Sequence, residues 1–219
     1  MSLFNYEENF DGCMCVRLPD AVRTVGRSAF YQCVSLEIVR GSNVSVIEDG
    51  AFLGCTNLQC VVFPKVVTVG SNVFSNCSNL AGVEMPELRK TGNNVFDRCT
   101  ALKSIDFPKL EYVNRSLFFK CDGLEFVHLP SARRVESDAF TMCSSLRDLY
   151  ILAVEYVDGI LSCTSLTSLD LQNAKELGNL GFGGTPLEYL VLSSSGDIIC
   201  GEYTFANTLP AFDSGSGNR

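Results

Sequence analysis

The sequence predicts a single elongated solenoid. It is expected to be a right-handed coil of short parallel β-strands, with turns or single helical turns on the other side and low helix content. Three observations lead there. Cys33, Cys55, Cys77, Cys99, Cys121 and Cys143 stand 22 residues apart without a slip. Around each of them the skeleton F-x-x-C-x-x-L-x-x-V/I returns, most cleanly over residues 95–108. Proline closes many of the units, at Pro19, Pro64, Pro86, Pro108 and Pro130. Similarity at a fixed period means stacked units that share one continuous core, and parallel crossovers of this kind are right-handed.

Residues 1–12 precede the first clear unit. Phe4, Tyr6 and Phe10 are spaced to cover the open end of a stack, so this segment reads as an N-terminal cap. Residues 13–192 form the solenoid, with strands expected at 13–18, 36–41, 58–63, 80–85, 102–107, 124–129, 146–151, 166–171 and 187–192. Period-two alternation, as in Val61 and Phe63 or Ile105 and Phe107, marks short strands with one buried face. The prolines end their strands by withholding a backbone donor and fixing φ.

A second apolar stop follows each strand, at Ile47, Val69, Thr91, Val113, Val135 and Val157. It predicts a short extended segment on the opposite wall of the coil. A tight turn then holds Phe30, Phe52, Phe74, Phe96, Phe118 and Phe140, whose rings would stack into a spine beside the cysteines. Too few residues separate each phenylalanine from the next strand for more than one helical turn. The period breaks between Cys143 and Cys163, which are 20 residues apart, and Ile160 replaces the phenylalanine there. Gly178, Gly181, Gly183, Gly184 and Pro186 predict a loose turn before the last strand. Residues 193–219 read as a C-terminal cap and flexible tail, with Ile198, Ile199, Tyr203, Phe205, Leu209 and Phe212 covering the far end.

The composition narrows the function. With 219 residues, 46% of them hydrophobic, the chain can bury a sizeable core. A net charge of −8 argues against nucleic acid, which needs a basic footprint. No run of 18 apolar residues predicts membrane insertion. The first residues lack the basic and apolar regions of a signal peptide.

Eleven cysteines would suit a disulfide framework. Seven of them, the six above and Cys163, instead hold one equivalent position per unit. Side chains in phase point the same way, unlike the crossed geometry of a bridge. Free cysteine is a small and often buried apolar residue, so a reduced, buried ladder is expected. Cys13 points inward and Cys15 outward by alternation. Cys60 is phase-equivalent to Cys15 but two rungs away, and Cys200 lies in the cap.

No catalytic, cofactor-binding or metal-binding motif emerges. His128 is the single histidine and takes an outward strand position. Cys13-x-Cys15 has neither zinc-knuckle nor redox spacing, and no phosphate loop, dinucleotide fingerprint or calcium loop is present. Three glycosylation sequons, at Asn43, Asn76 and Asn114, are short enough to arise by chance.

The variable outward slots are the better candidates. In L-x-x-V-x-F, positions 3 and 5 point out. Position 3 runs Cys15, Ile38, Cys60, Gly82, Ser104, Phe126, Asp148, Ser168, Tyr189, and position 5 runs Arg17, Arg40, Val62, Glu84, Asp106, His128, Tyr150, Asp170, Val191. Nine strands at about 4.8 Å spacing make a face roughly 38 Å long. It begins basic, turns apolar at Ile38, Cys60 and Val62, then acidic at Glu84 and Asp106. Phe126, His128, Tyr150 and Tyr189 form an aromatic end, with Asp148 and Asp170 beside them. Clustered exposed aromatics have the composition of a recognition surface. Aromatic and β-branched residues also favour strands for their own sake.

The extended motif V/I-x-x-x-x-F-x-x-C-x-x-L-x-x-V/I-x-F/L-P resembles the BspA-like leucine-rich repeats, the treponemal class, over residues 13–192. That family usually runs at 23 residues. Most units here are one residue short between the proline and the second apolar stop, while the first, from Pro19 to Val25, keeps the extra residue. The tail Ser193-Ser-Ser-Gly-Asp197 with Phe205-Ala-Asn-Thr-Leu-Pro210 is similar to the closing segment of BspA-like proteins from gut Firmicutes and their phages. A Tyr-Val-Pro segment commonly follows there, which implies a longer parent protein. The resemblance implies a leucine-rich repeat solenoid and an extracellular or cell-surface, non-enzymatic interaction module.

The leading expectation is a module binding a host or microbial surface protein through the strand face at Ile38, Val62, Asp106, Phe126, His128, Asp148, Tyr150, Asp170 and Tyr189. Two alternatives stand beside it. One is a carbohydrate-binding module that uses the aromatic platform, and the other is a structural spacer in a larger surface or phage-tail protein.

Overall fold

The computed structural model describes residues 14–179, 181–193 and 197–207. The expected N-terminal cap, Cys13, Leu209, Phe212 and the tail lie outside them. Within them the chain is a parallel β-solenoid. Its strands alternate between two walls: β1 Cys15–Arg17, β2 Thr24–Val25, β3 Ile38–Arg40, β4 Val46–Ile47, β5 Cys60–Val62, β6 Thr68–Val69, β7 Gly82–Glu84, β8 Lys90–Thr91, β9 Ser104–Asp106, β10 Tyr112–Val113, β11 Phe126–His128, β12 Arg134–Val135, β13 Asp148–Tyr150, β14 Tyr156–Val157, β15 Ser168–Leu171, β16 Glu176–Leu177, β17 Tyr189–Leu192 and β18 Ile199–Cys200. The odd-numbered strands make the main wall and the even-numbered ones the second wall, all in parallel register. The strands are shorter than the six-residue motif, because each rung must bend at both ends of the central V/I.

The constant positions face inward as their phase requires. Leu36, Leu58, Leu80, Leu102, Leu124 and Leu146 are buried, as are Val39, Val61, Ile105 and Val127 between them. The phenylalanines stack along the coil, with ring centroids 5.0 Å apart for Phe30 and Phe52 and 5.3–5.5 Å apart from Phe52 through Phe140. Ile160 interrupts the spine, and Phe182 and Phe205 resume it at 5.5 Å. Beyond residue 192 the coil continues: β18 pairs with β16, and Phe205 seats on Phe182.

The turns holding the spine are not helical, and among the described residues there is no helix. The residues two before and two after each ring have positive φ: Ser28 and Gln32, Gly50 and Gly54, Asn72 and Asn76, Asn94 and Arg98, Ser116 and Lys120, Asp138 and Met142. The reason lies in where the backbone donors go. The amides of Ser28, Phe30 and Gln32 reach the carbonyls of Asp49, Ala51 and Leu53 on the next rung. Those of Ala29, Tyr31 and Cys33 close i to i−3 bonds within the rung. Alternate donors therefore serve rung and neighbour, and a buried turn leaves none unpaired. A helical turn aims all its donors along its own axis and would have none for the next rung. A positive φ at the third residue of such turns is the type II pattern, which glycine meets at no steric cost. Only the rung of Gly50 and Gly54 uses glycine at both places.

The cysteine ladder is more than filler. Each thiol donates to the phenylalanine carbonyl of the preceding rung: Cys77 to Phe52 at 3.2 Å, Cys99 to Phe74 at 3.1 Å, Cys121 to Phe96 at 3.0 Å and Cys143 to Phe118 at 3.1 Å. The same carbonyls accept the amide of their own rung's cysteine. Thr185 takes the ladder position after Cys163 and directs its hydroxyl to the Ile160 carbonyl. No disulfide joins the described cysteines. Burial pushes the Cys55 thiol up to about 11 and the Cys163 thiol up to about 12, and it raises Cys99, Cys121 and Cys143 well above the ordinary thiol range.

The walls are not continuous ladders. The main wall divides into β1-β3-β5-β7, β9-β11-β13 and β15-β17. The second wall divides once, between β8 and β10. There Thr91 is half-exposed instead of buried, and its carbonyl takes the side-chain amide of Asn114. On the main wall at the same level, Glu84 would stand directly beside Asp106, and like charges opposed across strands destabilise pairing. The spine and the thiol ladder carry the stack across that level.

Candidate binding face

Register on the main wall places the outward slots side by side. Ser104, Phe126 and Asp148 are cross-strand partners in one row, and Asp106, His128 and Tyr150 in the other. The two ends of the face differ. Toward the N-terminus, Cys60 was expected to point out with Ile38 and Val62. Cys60 is only 2% exposed, between Ile38 and Gly82, and Ile38 and Val62 are themselves half-buried. Small or short-branched neighbours in adjacent rungs pack over one another, so this apolar stretch is largely closed.

Toward the C-terminus the side chains stand clear. Phe126 is 39% exposed, Tyr150 46% and Tyr189 71%, and Asp106 and Asp148 are exposed as well. The rings of Phe126 and Tyr150 meet at 5.5 Å between centroids, and His128 lies 6.5 Å from the first and 6.3 Å from the second. Two adjacent strands, β11 and β13, thus carry one contiguous aromatic patch. The patch is held in place from beside: His128 Nδ1 lies 2.9 Å from Asp106 Oδ1. That contact sets the imidazole plane and fills one of its two nitrogens.

Beyond Tyr150 the face opens. Over one interval Cys143 to Cys163 spans two residues fewer than the regular period, and β13 and β15 do not pair. On the far side β14 and β16 stay paired, so the opening is confined to the main wall. A depression of about 410 Å³ results. Its floor is core: Leu149 is 8% exposed and Leu169 4%, whereas Val39, Val61 and Val127 at equivalent positions are fully covered. Tyr150 and Tyr189 flank it, and Asp148, Asp170 and Arg147 stand at the rim.

The sequence-derived candidates therefore fall into two groups. Asp106, Phe126, His128, Asp148, Tyr150, Asp170 and Tyr189 are brought to one half of the face, in contact or around the depression. Ile38 and Val62 sit apart from them. Arg147 and Leu152, which also line the depression, were not singled out from sequence. The irregular spacing of Cys163 was the one signal that pointed to them. Among the described residues no group of histidine, cysteine and carboxylate side chains is placed to hold a metal ion, and no helix is long and apolar enough to cross a membrane.

A family model described as the BspA type leucine rich repeat region matches this sequence in six copies, over residues 6–102 and 89–210. No curated protein matches. Similar solved structures include a leucine-rich repeat protein from Bacteroides ovatus, 20% identical, covering 92% of this chain and 86% of that one at a TM-score of 0.41. The leucine-rich repeat protein of T. pallidum is 22% identical over 91% of this chain and 79% of that one, with a TM-score of 0.46. A leucine-rich cell surface protein from Faecalibacterium prausnitzii is 19% identical over 83% and 79%, with a TM-score of 0.40.

Proposed function

The chain belongs to the BspA-type leucine-rich repeat family, and from that premise we propose that it is a non-enzymatic interaction module. It binds a protein ligand, a host or microbial surface protein, through the C-terminal half of its main wall, as part of a surface or secreted protein. Stacked repeats are generally interaction modules because they display an extended surface of variable side chains on a constant frame.

The observation that carries the reading is the contiguous patch of Phe126, His128 and Tyr150 on β11 and β13. Rigid aromatic side chains on a sheet lose little conformational freedom on binding, and they dominate interface energetics. The constant positions are committed to the core, so recognition falls to the outward slots. The lone histidine fits this role too, since its Nδ1 is committed to Asp106.

The test is capture by the full chain from candidate surface proteomes, compared with a Phe126→Ala/Tyr150→Ala variant. Hot-spot truncations cost about 2 kcal/mol or more each, so the double variant loses capture while its far-UV spectrum stays native. Undiminished capture by the folded variant would remove this face from consideration.

A further inference from the structure

We infer that the depression between β13 and β15 receives a lysine or arginine side chain of the protein ligand. This rests on the reading of the main wall as a protein-binding face and names the chemistry at its centre.

The shape comes first. The opening is a gap between two unpaired strands, floored by Leu149 and Leu169 and walled by Leu152 and Val191. An apolar slot of this kind suits the methylene stem of a long cationic side chain, which buries its stem and keeps its charge at a polar edge. The polar edge is acidic. Two carboxylates, Asp148 and Asp170, face one guanidinium, Arg147. Among the described residues the Asp148 carboxylate has no hydrogen-bond or ion-pair partner. Asp170 spends Oδ1 on the amide of Gln172 and keeps its other oxygen.

Tyr150 and Tyr189 both line the depression, and an aromatic ring attracts a cation over its face. A net charge of −8 on the whole chain biases encounter the same way. An anionic group would meet the carboxylates, and a neutral sugar would leave their charge unmatched.

The experiment is methyl NMR on the full chain with labelled leucine and valine. The probes are three capped heptapeptides, Gly-Ser-Gly-X-Gly-Ser-Gly, with X as lysine, arginine or glutamate, and simple methyl glycosides. The lysine or arginine peptide should shift the Leu152 and Val191 methyls and the glutamate peptide should not. Asp148→Asn/Asp170→Asn, with an otherwise native methyl spectrum, should weaken the basic peptide about fivefold or more, as two partly screened ion pairs are lost. Higher salt should weaken it in the wild type.

No shift with either basic peptide, an equal shift with the glutamate peptide, or shifts with glycosides alone would overturn the inference. If the basic peptides fail while Phe126→Ala/Tyr150→Ala still abolishes protein capture, only this inference falls. If that double variant captures normally, the reading beneath it falls as well.

Discussion

Cys99→Ala isolates what the thiol ladder contributes to the coil. Cys99 is fully buried at the middle of the stack, and its Sγ lies 3.1 Å from the Phe74 carbonyl. Removing a methylene-sized buried group costs about 0.8 kcal/mol in transfer free energy. The void left, roughly 20 Å³, adds about 0.5 kcal/mol at ~24 cal/mol per Å³. A weak neutral donor lost from a buried carbonyl adds about 0.5 kcal/mol, the low end for such bonds. It is the low end because the amide of Cys77 still reaches the same oxygen. The sum is about 2 kcal/mol, which for a chain of this size lowers Tm by about 4–8 °C.

The assay is urea unfolding followed by far-UV circular dichroism under reducing conditions, with midpoint and slope compared. Cys99→Thr is the companion variant, because Thr185 already fills a ladder position with a hydroxyl directed at a rung carbonyl. It should cost no more than about half the alanine value, since it retains a donor of the kind that pairs there. An alanine variant costing no more than about 1.3 kcal/mol, the transfer and cavity contributions without the bond, or a threonine variant no better than alanine, would refute a bonding role and leave the cysteine as packing alone.

The buried ladder thiols, from Cys55 to Cys163, should also be inert to a disulfide reagent until the chain unfolds, and stability should fall at alkaline pH. The folded state holds the Cys55 and Cys163 thiols above their ordinary 9.0. Stability is thus complete below pH 9 and drains between about 9 and 12, where the unfolded chain has shed protons that the folded one keeps. A urea midpoint that is flat from pH 8 to 11, or rapid native labelling of the ladder, would contradict this. Met142 sits exposed at a positive φ of 62° that costs a side chain about 1–2 kcal/mol. Met142→Gly should raise stability by about 0.5–1 kcal/mol after glycine's greater unfolded-state freedom is subtracted, and a destabilised variant would mean the turn is not left-handed there.

What the sequence by itself determined is direction. A strict period assigns each residue a phase, and phase alone says that Cys99, Phe96, Leu102 and Ile105 point in while Ser104 and Asp106 point out. That was enough to place the spine, the two walls and the aromatic end of the face. Spacing and hydrogen bonding between rungs are not properties of phase, and only the tertiary structure decided them. Whether Cys60 is covered depends on how closely Ile38 and Gly82 approach it. Whether the turns are helical depends on the next rung's need for backbone donors, which made them left-handed even with Lys120 and Met142 in place. Two residues fewer between Cys143 and Cys163 read in sequence as irregularity. In three dimensions the same shortening parts β13 from β15 on one wall while β14 and β16 stay paired on the other, and the core shows through where the aromatic face ends.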